Sequence, residues 1–161
     1  MVFEGATKEK TLDKVLFVCT ANICRSPMAE ALFNALAEDK GLGSRAQSAG
    51  VAALEGEPIA PNAREALEEI GVYPKHHSAR QVNARMLEEA DLVLTMGPRH
   101  VAELRRIFGD SFRARTLPEY AGGASSEEGI PDPYGSTISA YRASVRQIFG
   151  YVDLLVDRLA R

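Results

Sequence analysis

At 161 residues, 45% hydrophobic and 25% charged, the chain has the size and composition of one globular domain. Its net charge of −3 argues against a nucleic-acid-binding surface, and no apolar run reaches membrane-spanning length. Two cysteines, Cys19 and Cys24, do not make a disulfide framework. Residues 1–13 mix charges and lack the apolar stretch of a signal peptide, so they are expected to form a flexible leader before a single domain at 14–161. A reducing cytoplasm and a monomer are the expected setting, with no nucleic-acid or membrane partner.

Lys14-Val15-Leu16-Phe17-Val18 reads as a buried strand. It runs directly into Cys19-Thr20-Ala21-Asn22-Ile23-Cys24-Arg25-Ser26-Pro27 and then into a helix over Pro27–Asp39, with Met28, Leu32, Ala35 and Leu36 at helical spacing. Ser26 is a hydroxyl N-cap candidate, and Pro27 suits the first helical position. A strand that turns straight into a helix points free N–H groups and the positive dipole end at the turn, a natural phosphate site. This turn also carries a thiol and a guanidinium, a nucleophile and a phosphate fork. A cysteine followed six residues later by arginine is weak evidence alone. A merely structural Cys19, however, would explain neither Arg25 nor the turn chemistry.

Further along, Arg45–Ser48 reads as a short second strand, and Gly50–Pro61 as a loop. A helix over Asn62–Ile70 places Ala63, Ala66, Leu67 and Ile70 on one face, and Asn83 can cap a short helix through Leu87. Leu92-Val93-Leu94 has the continuous apolar character of a strand covered on both sides. Pro98 opens a helix with Val101, Leu104 and Phe108 inward, and Arg113–Leu117 reads as a fourth strand. Residues 118–136, rich in glycine and proline, read as one long functional loop. The last helix, from Thr137 to Leu159, has the stripe Ile138, Tyr141, Val145, Ile148, Val152, Leu155 and Leu159. Gly150 costs it about 1 kcal/mol relative to alanine. Alternating strands and helices imply a three-layer α/β/α sandwich around a four-stranded parallel sheet, with the phosphate loop between the first strand and first helix. Such sheets bind ligands at the carboxyl ends of their strands, where Cys19 lies.

Asp132 stands between Pro131 and Pro133 in the long loop. Taken alone, it reads more readily as part of a turn than as an acid. No metal is called for: His76, His77 and His100 stand at no ligand spacing from either cysteine.

The stretch VCTANICRSPMAE resembles the phosphate loop of the low-molecular-weight protein-tyrosine phosphatases, bacterial branch. The resemblance continues through Ser48-Ala49-Gly50, His77-Ser78-Ala79-Arg80-Gln81, Asp91-Leu92-Val93-Leu94 and Asp132-Pro133-Tyr134, in the family's order over about residues 14 to 160. It implies a cofactor-free hydrolase acting on phosphorylated proteins. Cys19 would be the nucleophile, Arg25 would hold the phosphoryl oxygens, and Asp132 would be general acid and base. Thr20, Ala21, Asn22, Ile23, Cys24 and Ser26 would complete the binding loop, and Tyr134 would wall the cleft. Asn22 would order the loop with help from Ser48 and His77. Cys24 would be a reversible redox partner of Cys19, although a small packing residue is an equal reading of its sequence context. Glu30 matches a family position but reads more safely as a helix-face carboxylate.

Two departures bear on substrate. Gly135 stands where many members have a second aromatic, and Val51–Pro58 contains none. Leu117-Pro118-Glu119-Tyr120 and Asp132–Ser136 look like the Gram-positive branch, which includes protein-arginine phosphatases with threonine where this chain has Ile23. Ile23 offers apolar surface to a phenyl ring, so phosphotyrosine is the favoured substrate and phosphoarginine the alternative. An arsenate reductase would need another cysteine downstream of Cys24, and none exists. A sugar-transport phosphocarrier would not need Arg25 or Asp132. A non-catalytic phosphate-binding module is the remaining alternative.

Overall fold

The computed structural model describes residues 12–122 and 129–161. Its elements are β1 Lys14–Cys19, α1 Arg25–Asp39, β2 Arg45–Gly50, α2 Pro61–Glu68, α3 Ala84–Glu89, β3 Leu92–Thr95, α4 Pro98–Phe108, β4 Ala114–Thr116, α5 Leu117–Gly122 and α6 Ile138–Ala160. The strands form one parallel sheet in the order β2-β1-β3-β4. The chain leaves β1 to one side for β2 and returns past it for β3. The carboxyl end of β1 is therefore the switch point of the sheet, where a crevice opens between diverging connections.

Each strand of the sheet's centre is covered on both faces. Val15, Phe17 and Cys19 of β1 join the larger core, which includes Met28, Leu32 and Phe33 of α1, Leu67 of α2 and Ile148, Val152 and Leu155 of α6. Leu16 and Val18 point the other way, into a smaller core with Leu87 of α3 and Leu104 of α4. This is the alternation of a pleated strand between two helical layers. Phe17 and Phe33 meet edge to face, with ring centroids 6.0 Å apart, and so fix α1 against β1.

Most expected elements are present, and three differences have clear causes. First, α1 begins at Arg25 with Cys24 as N-cap, and no side chain caps it. The Ser26 hydroxyl is inside the helix and is used elsewhere. Second, the loop expected over 118–136 is broken by the short helix α5, whose Glu119 N–H donates to Thr116 Oγ1. The rest of that expected loop includes residues 123–128, which lie outside the described residues. Third, residues 1–11 of the expected leader also lie outside them, but Leu12 and Asp13 are anchored. The Leu12 carbonyl accepts from Ser44 Oγ, and the Asp13 carbonyl accepts from the Arg45 N–H. Asn83 caps α3 as expected, accepting from the Met86 N–H at 2.9 Å.

Candidate active site

β1 ends on buried Cys19, and the chain must then reverse into α1 within five residues. The reversal is made at Asn22, whose φ of 62° is the only positive value among described non-glycine residues. Asparagine tolerates this region better than most residues because its short amide can bond locally. Here it is wholly buried and its amide is fully used. Nδ2 donates to Ser26 Oγ at 2.8 Å and to Ser48 Oγ at 2.9 Å, while Oδ1 accepts from the Arg80 N–H at 3.0 Å. His77 Nε2–H donates to the Asn22 carbonyl at 2.6 Å. Ser48 Oγ–H in turn donates to Glu30 Oε1 at 2.6 Å.

The Asn22 amide thus donates along two arms, one through Ser48 to Glu30 and the other through Ser26 to the sulfur. Ser26 Oγ accepts from Asn22, so its proton is free to point at Cys19 Sγ, 2.9 Å away. That is the direction a thiolate requires. Glu30 is therefore more than the helix-face carboxylate expected: it holds the outer end of the Ser48 arm. Cys24 differs from Cys19. Its thiol shares a 3.4 Å bond with the Tyr141 hydroxyl, and burial pushes it up to about 11. It stays a protonated thiol at neutral pH.

Neighbouring backbone holds the loop from outside. Ala52, Leu54 and Ala60 donate N–H bonds to the carbonyls of Thr20, Ala21 and Ile23, at 2.9, 3.1 and 2.9 Å. Drawing these carbonyls outward turns the loop amides inward, toward the N-terminus of α1. Gly50 at the end of β2 makes the close approach possible. A Cβ there would stand 2.4 Å from the Thr20 carbonyl oxygen and 3.1 Å from the Asn22 nitrogen. Leu54, whose N–H makes the bond to Ala21, is an exposed apolar residue. Ile23, in contrast, was expected to offer apolar surface to substrate but is packed into the core, with 7% exposed.

Arg25 lies across the opening and is buried. Its Nη1 donates to the Ile130 carbonyl at 3.0 Å, and its Nη2 lies 3.4 Å from Asp132 Oδ2. Its Nε is the one buried side-chain nitrogen or oxygen without a hydrogen-bond partner among the described residues. Burying an unpaired charged donor is costly, so this atom marks where an anionic acceptor fits. Asp132 is half exposed, and its Oδ1 accepts from the Tyr134 N–H at 3.1 Å. Tyr134 is 61% exposed.

One buried residue of the site was not expected. His100 sits in the first turn of α4, where its Nδ1 accepts from the Gly97 N–H at 3.1 Å. Its Nε2 lies 3.0 Å from Thr20 Oγ1. The local sequence could have suggested the helix cap, but not a contact 80 residues away. Burial, reinforced by Arg25 and Arg99, lowers His100 from 6.5 to about 4. The unfolded chain thus takes up a proton as pH falls through about 6.5, while the folded chain does so only near 4. Stability contributed by neutral His100 is complete above that window and falls through it on acidification. Denaturant midpoints measured from pH 7 to pH 4 should decline, and the decline should be shallower in His100→Gln.

Comparison with known proteins agrees with this geometry. Residues 14–161 match the family model described as low molecular weight phosphotyrosine protein phosphatase. A protein-arginine-phosphatase of Bacillus subtilis is 41% identical over 149 residues, covering 91% of this chain and 97% of that protein. A low molecular weight protein-tyrosine-phosphatase of Streptomyces coelicolor is 41% identical over 128 residues, covering 75% and 77%. Among solved structures, an arginine phosphatase mutant with a phosphorylated active-site serine superposes with a TM-score of 0.85 at 36% identity, covering 91% of this chain and 95% of the other.

Proposed function

The chain belongs to the low molecular weight phosphotyrosine protein phosphatase family, a family of hydrolases, and from that premise we propose that it hydrolyses phosphotyrosine in proteins through a cysteinyl-phosphate on Cys19. The observation that carries this reading is the buried, unpartnered Nε of Arg25 in the loop that Cys19 opens. It provides a site for a phosphoryl oxygen next to a sulfur that already has a hydroxyl donor directed at it.

In the proposed reaction the Cys19 thiolate attacks phosphorus in line, and the bond from phosphorus to the tyrosine oxygen breaks. The loop amides of Thr20, Ala21, Asn22, Ile23, Cys24 and Ser26, with Arg25, hold the three equatorial oxygens as charge develops there. Asp132 gives its proton to the departing phenolate. Water then attacks the phosphocysteine, Asp132 takes up its proton, and inorganic phosphate leaves with the thiolate restored. Asp132 suits both transfers because its carboxyl is half exposed, oriented by the Tyr134 amide and 3.4 Å from Arg25. A free Cys24 near the nucleophile, kept as a thiol, is proposed as the partner that caps oxidised Cys19 in a reducible disulfide.

Phosphoarginine is the second reading, and the 41% identity to a protein-arginine-phosphatase favours it. The loop itself leans the other way. Ile23 supplies no hydroxyl, and Leu54, whose N–H bonds the loop carbonyl of Ala21, and the aromatic Tyr134, whose N–H bonds Asp132, are exposed side chains suited to a flat ring.

Phosphate release from matched phosphotyrosine and phosphoarginine peptides, with Cys19→Ser as blank and no added metal, tests the assignment. Faster release from phosphotyrosine is the expected outcome; the reverse order would move the substrate to the phosphoguanidinium. Asp132→Ala should lose about 10²- to 10⁴-fold on the phosphotyrosine peptide. It should lose much less on an aryl phosphate with an acidic phenol, which leaves without a proton. Equal losses on both would remove Asp132 from the acid role.

A further inference from the structure

We propose that His100 is a positioning residue for phosphoryl binding: through Nε2 it fixes the Thr20 hydroxyl as a hydrogen-bond donor into the phosphate loop. The argument rests on the reading of this loop as a phosphoryl site, and then on counting protons. The Gly97 N–H occupies Nδ1 of His100 as an acceptor, so the network assigns the neutral ring's proton to Nε2. Nε2–H therefore donates to Thr20 Oγ1 at 3.0 Å. The other neighbour of Oγ1 is Arg25 Nη2, at a longer 3.5 Å, and a guanidinium has no acceptor atom.

Both neighbours of the Thr20 oxygen are thus obligate donors. Its lone pairs face them, and its own proton is left to point elsewhere. Thr20 stands directly after Cys19 and touches the same Arg25 nitrogen that faces Asp132. A phosphoryl oxygen bound there would meet an O–H donor already turned toward it. The burial of His100 holds the arrangement, because a ring 6% exposed beside Arg25 is neither solvated nor free to rotate.

A plain helix-capping role makes a different forecast, and two isosteric variants separate them. His100→Asn keeps an acceptor at the Nδ1 position for Gly97 but loses the donor to Thr20. His100→Gln keeps the donor at the Nε2 position. Calorimetric titration of the intact chain with inorganic phosphate is the readout, so turnover is not needed. His100→Asn and Thr20→Val should each weaken phosphate binding about tenfold, as expected for losing one bond to a charged acceptor. His100→Gln and Thr20→Ser should bind nearly as the parent does. The double variant Thr20→Val with His100→Asn should be no weaker than Thr20→Val alone.

The proposal is overturned if the two losses multiply, or if Gln is as damaging as Asn. Should His100→Asn not fold, equal binding by Thr20→Val and Thr20→Ser overturns it as well. A parent chain that binds phosphate but releases none from peptides would sink the phosphatase assignment alone. A parent that binds no phosphate would sink both.

Discussion

Cys19→Ser is expected to reduce turnover of a phosphotyrosine peptide by at least about ten-thousandfold, while phosphate affinity stays within a few-fold of the parent. The two halves of the forecast have separate physical origins. Nucleophilicity belongs to the sulfur, since a serine hydroxyl lacks a base here: its nearest polar neighbour, Ser26 Oγ, lies 2.9 Å from the present sulfur and is itself a hydroxyl. Binding belongs to the loop amides and Arg25, which the substitution leaves in place. Steady-state kinetics and phosphate titration on one preparation check both. Retained turnover would move the nucleophile elsewhere, and the buried Cys24 thiol, held up to about 11, is poorly suited to replace it.

Arg25→Lys should cost about 10²- to 10³-fold in kcat/KM although the charge is kept. The guanidinium does three things at once with three nitrogens. Nη1 holds the Ile130 carbonyl, Nη2 faces Asp132, and Nε remains available inside the loop. An ammonium has one nitrogen and no planar fork, so it cannot tie down the Ile130 segment and also bind two phosphoryl oxygens. Ile130 is itself buried, and its N–H donates to the Met96 carbonyl at 2.8 Å, so the arginine also fixes the approach to Asp132. Near-parental kcat/KM in Arg25→Lys would show that charge alone suffices and would refute the forked contact.

What could be read in the sequence was local. The buried strand, the turn at Cys19 and the helix after it follow from periodicity and turn chemistry within some twenty residues. Asn83 as a cap is equally local, and it accepts the Met86 N–H; Thr137, read as the first residue of the last helix, instead caps it. Contacts made across the fold were invisible. Glu30 read as a plain helix-face carboxylate because its partner Ser48 is 18 residues away, on β2. Gly50 read as the start of a loop, since nothing local says that it ends β2 or that the Thr20 carbonyl passes 2.4 Å from where its Cβ would be. Ile23 read as substrate surface because its place in the loop is local, whereas its burial comes from the larger core that it joins. Ser26 read as a cap because serine before proline usually is one. Here Asn22 and Cys19 claim the hydroxyl.

The chain of bonds from Glu30 through Ser48, Asn22 and Ser26 has a consequence for the timing of order. An inorganic phosphate or a phosphoryl group is tiny, and its few atoms cannot supply the interaction needed to organise a floppy loop. In this protein the loop is organised before the ligand comes. The entropy lost in holding Asn22 in a left-handed turn is lost once, when the chain folds, and is offset there by core packing. Association then costs the ligand's own freedom and little more. A site ordered in advance therefore asks little of the rest of a phosphorylated protein to hold the phosphoryl group in place.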